Sequence, residues 1–213
     1  MMERPILMSA PMVRAILEGR KTQTRRVVKP RKDMGFGCPL APNEIAGEIN
    51  NGDYTNSVYG APGDRLWIRE NFQPLMADDV REEDWLSCDY KTGKGYKVSY
   101  PATDGVKEYY DIGSDNAFCD RVTPSIHMPR WASRINLEIT AVRVKLLQDI
   151  SEQDARSEGA ESADYATGRK CILEPDKGSY RLHYRSIWEQ INGAGSWDAN
   201  PWVWVVEFKR VSP

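Results

Sequence analysis

The run from Ser133 to Leu147 constrains the fold most, because Ile135, Leu137, Ile139, Ala141, Val142 and Val144 form the longest period-two apolar pattern in the chain. Side chains two residues apart share one face of an extended strand, so this pattern predicts a central strand with at least one covered face. A strand of that kind needs partners on both edges, which excludes an all-helical chain. Two further runs also read as strands. Gly63-Asp64 is a turn signal opening Arg65 to Phe72, where Leu66 and Ile68 alternate with Trp67 and Arg69, and Pro201 to Phe208 reads as a closing strand. With 213 residues the chain is predicted to be one domain with insertions, spanning residues 1–213.

Helical signals lie between these strands. Pro11 suits a first turn, Ser9 or Ala10 caps it, Met12, Val13, Ile16 and Leu17 give one apolar face, and Gly19 follows as the stop. Ser151-Glu152-Gln153-Asp154 has capping-box spacing and opens a helix that ends near Glu158-Gly159. Tyr180, Tyr184, Ile187, Trp188 and Ile191 recur at helical spacing as a core stripe. Helices between antiparallel-style strands, without βαβ alternation, predict an α+β class and a compact barrel. Residues 31–62, rich in Pro and Gly, read as a surface loop or small hairpin insertion, and residues 76–125 as a second insertion with strand-like pieces. The tyrosines of that second insertion, Tyr90, Tyr96, Tyr100, Tyr109 and Tyr110, read as cross-strand packing.

The densest chemistry is Gly19-Arg20-Lys21-Thr22-Gln23-Thr24-Arg25-Arg26. β-Branched Thr22, Thr24, Val27 and Val28 favour a strand here, and a regular strand points Lys21 and Thr24 to opposite faces. A joint role for the two therefore requires Lys21 to lie in a turn or bulge. Lys+Arg (29) nearly balance Asp+Glu (31), so no global field draws the chain to duplex DNA or a membrane surface, and any nucleic-acid contact is local. No run reaches the ~18 apolar residues of a membrane span. Cys38, Cys88, Cys119 and Cys171 are far apart with no leader-like segment before them, which reads as reduced thiols, and only His127 and His183 offer imidazoles, so no metal site and no cofactor is expected. Trp67, Trp131 and Trp202 read as core or rim packing or as surfaces for a pyrimidine, and Arg69 with Glu70 as an ion pair or a polar cleft wall.

The order of these pieces resembles the ASCH domain: a helix, Gly-Arg-Lys-Thr-x-Thr-Arg at 19–25, Gly-Asp-x-Leu-Trp-x-Arg-Glu at 63–70, a long strand, Ile-Ser-x-x-Asp-Ala-x-x-Glu-Gly at 150–159 and a closing strand. Trp188, Asn200-Pro201-Trp202-Val203-Trp204 and Pro129 to Arg134 resemble the larger ASCH proteins of tailed bacteriophages and prophages. The resemblance covers the chain apart from the two insertions. It implies a PUA-like mixed β-barrel flanked by short helices, a bacterial cytoplasmic location, and a cleft for RNA, a nucleoside or a modified base.

ASCH proteins include a small amidohydrolase that removes the acetyl group of N4-acetylcytidine with a Lys, a Thr and a Glu. These fall on Lys21, Thr24 and Glu158. Arg25 stands where that enzyme has an aliphatic residue, and the chain is about twice as long. The resemblance thus implies amide hydrolysis on an N-acyl nucleoside, with Arg25, Arg26, Trp67, Arg69, Glu70, Trp131 and Trp202 around the substrate. The alternatives are an RNA- or modified-base-binding module without turnover and a metal-independent ribonuclease, which the scarcity of histidine disfavours. A Lys base needs a pKa near 7 instead of ~10.4, a shift of about 3 units or ~4 kcal/mol, within reach of burial and neighbouring cations. Arg25 and Arg26 would help and Glu158 would oppose.

Overall fold

The computed structural model describes residues 1–76, 91–94, 96–106, 109–110, 117–118, 122–162 and 179–211. In chain order its elements are β1 (Glu3–Leu7), α1 (Ala10–Leu17), β2 (Gln23–Val27), β3 (Arg31–Lys32), β4 (Pro39–Leu40), α2 (Pro42–Asn50), β5 (Arg65–Arg69), β6 (Gln73–Met76), β7 (Tyr96–Ser99), α3 (Pro101–Asp104), β8 (Tyr109–Tyr110), β9 (Ala117–Phe118), β10 (Asn136–Leu146), α4 (Glu152–Ser157), α5 (Tyr180–Asn192) and β11 (Trp202–Val211). The class is mixed α+β, as the strand and helix signals predict. The chain groups into two compact units, one of Met1–Met2, Ala15–Arg65 and Glu138–Arg210, the other of Glu3–Arg14, Leu66–Leu137 and Val211–Pro213.

Five strands form one sheet in the order β1-β5-β10-β11-β2. β11 pairs antiparallel with β2 in uninterrupted register from Val203↔Val27 to Glu207↔Gln23. β1 runs the same way as β5, because Arg65 N–H donates to Met2 O and Met8 N–H to Arg69 O, so the sheet is mixed. It is open, with β1 and β2 at its edges, which corrects the expected closed barrel. Closure needs the two edge strands to hydrogen-bond to each other. The backbone just ahead of β2 is instead engaged by the end of α4: Lys21 bridges Glu158 and Thr22 N–H donates to Ser157 O at 2.8 Å.

In the first unit, the Gly19 stop works as the sequence predicts. Gly19 sits at φ +75°, and the N–H groups of Arg20 and Lys21 both return to Ala15 O, at 2.9 and 3.0 Å. Positive φ is cheap only for glycine, so the chain leaves α1 in a tight turn there. Lys21 thus precedes β2 and is not part of it.

In residues 31–62 the hairpin alternative holds, and a helix that the sequence reading did not anticipate follows it. β3 and β4 form a hairpin, and α2 buries Ile45, Ala46 and Ile49. Pro42 occupies its first turn, and the Glu44 carboxylate accepts from Ala41 N–H at 2.7 Å. The apolar face is only three residues wide and is flanked by proline and glycine, which hid it from a periodicity reading. Asn50 then ties α2 to β10: its Nδ2 donates to Val144 O at 3.0 Å and its Oδ1 accepts from Val144 N–H at 3.1 Å. β10 itself switches its buried face between Ile139 and Val142, at exposed Thr140.

The core of this unit joins Leu147, Ile150, Ala155, Ala160, Tyr184, Trp188, Trp197, Val203 and Val205. The predicted capping box of α4 is present, with Ser151 Oγ accepting from Asp154 N–H at 3.0 Å. The α5 stripe is core at Tyr184 and Trp188, but Ile191, in the last turn, is 54% exposed and outside the core. The Glu152 carboxylate accepts from Ser179 Oγ and Tyr180 N–H, both at 2.7 Å, so the first residue of α4 caps the start of α5.

In the second unit, Leu66 and Ile68 of β5 are buried while Trp67 and Arg69 are half-buried, as alternation predicts. Phe72, Met128 and Ala132 form a cluster against which Val98, Tyr100 and Trp131 pack. β6 pairs with β7 and β8 with β9, both antiparallel, so the insertion at 76–125 does carry strand pieces. Tyr90 and three of the cysteines, Cys88, Cys119 and Cys171, lie outside the described residues, and Cys38 is an exposed free thiol. Among the described residues no helix is long and apolar enough to cross a membrane.

Candidate functional site

The site is built in the first unit, where the turn that carries Gly19, the start of β2 and the end of α4 come together. Lys21 leaves the α1 turn with its side chain wholly buried and meets Glu158, the residue that ends α4. Its ammonium donates to Glu158 Oε2 at 2.7 Å, Glu158 O at 2.9 Å and Gln23 O at 2.7 Å. An ammonium has three protons, so every one is held. Gly159 makes this approach possible. It sits at φ +86°, where a Cβ would stand 3.2 Å from Ala15 Cβ and 3.3 Å from Lys21 Cβ.

Glu158 is shared. Its Oε1 accepts from Arg25 Nη1 at 3.2 Å, and Arg25 Nη2 continues to Asp154 Oδ2 at 3.1 Å. The four charges form a chain, Lys21–Glu158–Arg25–Asp154, with side chains 0%, 3%, 1% and 25% exposed. Such a cluster is held together by mutual satisfaction, since an isolated buried charge is too costly to keep. The macrodipole at the end of α4 disfavours a carboxylate, and here two cations compensate it.

Electrostatics follow from this packing. Burial pushes the Lys21 ammonium below its ordinary pKa; Glu158 acts against that and Arg26 and Arg25 act with it. For Asp154, burial pulls upward, but Arg25 and the bonds from Ser151 outweigh it, and the carboxyl is held below its usual range. The Tyr184 hydroxyl is pushed well above the ordinary phenol value by burial, reinforced by the nearby Glu158 charge.

Thr24 is buried but stands apart from this chain of charges. Because the β2 register is uninterrupted, Thr24 and Arg25 project to opposite faces. Arg25 is on the Glu158 side; Thr24 shares the other face with Arg26, opposite Val206 and Trp204. Trp204 meets Tyr59 edge-on with ring centroids 5.9 Å apart. No Lys21 bond goes to Thr24, although Nζ rests on the carbonyl of the peptide that joins Gln23 to Thr24.

No family model, no curated protein and no solved structure matches the chain. The site is therefore read from its own geometry. Of the remaining candidates, Trp202 opens β11 in the first unit, where its carbonyl accepts from Val28 N–H at 2.9 Å. Trp67, Arg69, Glu70 and Trp131 belong to the second unit. Glu70 is buried in a two-point pair with Arg134, at 2.9 and 3.0 Å, so its partner is not Arg69. Arg69 and Arg130 lie 5.6 and 5.8 Å from the Trp67 ring, and Arg69 also donates to Ile126 O. Trp131 packs on Tyr96 with centroids 6.3 Å apart.

Sequence reasoning missed Asp154 and the pocket beside the bridge. That pocket, of about 700 Å³, is lined among others by Arg20, Thr22, Gln153, Arg156, Ser157 and Tyr180. The signal was present at positions 153, 156 and 157, one face of α4 at helical spacing. Among the described residues no three His, Cys, Asp or Glu side chains gather as metal ligands would.

Proposed function

We propose that the chain hydrolyses an amide on an N-acyl nucleoside resembling N4-acetylcytidine, with Lys21, Glu158 and Thr24 as the reacting set. The contact between Lys21 and Glu158, 137 residues apart in sequence and 2.7 Å apart in space, carries this reading. Burial lowers the Lys21 pKa, which makes a neutral amine more available as a base at moderate pH.

The neutral amine takes the Thr24 hydroxyl proton as the oxygen attacks the acyl carbonyl. That proton then goes to the departing exocyclic amine, and water hydrolyses the resulting acyl ester to release the acid. Glu158 orients Lys21, and the adjacent pocket holds the nucleoside. The step requires Lys21 to exchange Gln23 O for the hydroxyl one peptide unit on. It also requires Thr24 to turn towards the edge of β2.

A second reading, binding of a modified base without turnover, is favoured by the three protons of Lys21 being fully held and its side chain fully buried. Incubation with N4-acetylcytidine, related N-acyl nucleosides and single-stranded RNA separates the readings. Deacylation is expected, lost in Lys21→Ala and Glu158→Gln, severely reduced in Lys21→Arg and mildly reduced in Thr24→Ser. Tight binding with no acid released would leave only the second reading, and RNA cleavage without deacylation would replace both.

A further inference from the structure

Arg156 is a cation without a carboxylate. Arg25 has two, Arg20 holds Glu18 through Nε at 2.7 Å, and Arg134 holds Glu70, yet Arg156 makes no ion pair among the described residues. Its guanidinium instead lies 5.9 Å from the ring centroid of Tyr180, and both line the pocket beside the Lys21–Glu158 bridge. Thr22, Gln153 and Ser157 line the same pocket, and none of their side chains makes a hydrogen bond among the described residues. Arg156, Thr22 and Gln153 are open to solvent and Ser157 is half-buried, while Ser162 Oγ, on the wall of the same pocket, is buried with no hydrogen-bond partner among the described residues. At about 700 Å³ the cavity is within the ~300–1,000 Å³ of small-molecule sites.

We propose that this pocket is a nucleotide site, taking a terminal phosphate on Arg156 with the hydroxyls of Thr22 and Ser157, and a planar base against Tyr180. The base rests on the nucleoside reading above; the phosphate rests on the unpaired cation and free donors alone. A phosphate offers several acceptor oxygens to the guanidinium and hydroxyl donors along this wall. Two glutamates, Glu18 and Glu161, also line the pocket, so its two arginines do not give it a net positive field. Selectivity therefore comes from Arg156 being unpaired and should be sharply local.

Calorimetric titration of the full chain with cytidine, cytidine 5′-monophosphate, and a pentaribonucleotide with or without a 5′-phosphate tests this. The monophosphate is expected to bind at least tenfold more tightly than cytidine, with an advantage that shrinks as salt rises. Arg156→Gln should erase the advantage, and Arg156→Lys should keep most of it. Thr22→Val should reduce it, every variant keeping the wild-type circular dichroism spectrum. A preference for the phosphorylated oligomer over the monophosphate assigns the site to RNA ends, and the reverse assigns it to free nucleotides. Equal binding of cytidine and its monophosphate, an advantage that survives Arg156→Gln, or no binding of the monophosphate would overturn the proposal. Deacylation of N4-acetylcytidine in that case would still stand, and phosphate-dependent binding without deacylation would remove the hydrolase and keep the pocket.

Discussion

Replacing Lys21 by methionine tests whether the buried chain of charges is as tightly coupled as its geometry implies. The substitution keeps the apolar stem and removes three hydrogen bonds, leaving Glu158 Oε2, Glu158 O and Gln23 O buried without their donor. Breaking one side of a buried ion pair costs about 3–5 kcal/mol. Arg25 still holds Glu158 Oε1 at 3.2 Å, which sets the expectation near the lower figure, about 3 kcal/mol. Glu158→Leu should cost a similar amount, because it strands the Lys21 ammonium and halves the ion pairing of Arg25. The double variant removes both charges together, and its cost should be only about 1–2 kcal/mol, a coupling well outside the additivity seen for independent sites. Urea unfolding followed by tryptophan fluorescence reads this directly: with a slope of about 1–3 kcal/mol per molar, each single variant shifts the midpoint by roughly 1–3 M. A Lys21→Met shift below ~0.3 M, or a double variant equal to the sum of the singles, would show that the cluster is not held by mutual neutralisation.

Two further outcomes follow from the same cluster. The lowered Lys21 pKa means that the unfolded chain binds more protons than the folded one in the window below 10.5, so its contribution to stability rises with pH there. Stability measured across that window should rise in the wild type relative to Lys21→Met, and a parallel pair of curves would refute the shift. Gly159→Ala forces a side chain into positive φ and to within 3.2 Å of Ala15 and 3.3 Å of Lys21. The two penalties together predict a loss of about 2–4 kcal/mol in thermal unfolding.

What the sequence disclosed about this site was its local half. The Gly19 stop and the Ser151 capping box placed the ends of α1 and α4 to within a residue, because both signals act through backbone groups a few positions away. The opposed faces of Thr24 and Arg25 within β2 follow for the same reason, from alternation alone. Arg25 joining Glu158 to Asp154 was not, since it depends on how β2 meets α4 across 129 residues. Glu70 turning to Arg134 instead of Arg69 is another non-local choice. The barrel expectation failed at this level too, because strand spacing fixes which residues face a core but not whether two edge strands find each other. Helix α2 was hidden differently: three apolar residues amid Pro and Gly are too weak a period to stand out, and its stability comes from contacts such as Asn50 with Val144.

That Asn50 contact bears on how the protein behaves at high concentration. Beyond Ile139, where Gly63 and Asp64 bond it, the β5 side of β10 would present Val144 as an open N–H and C=O, a place for a foreign strand to add. The Asn50 amide occupies both groups at once. One side chain on a short helix thus imitates a neighbouring strand for a single residue, and in doing so denies that position to a second molecule.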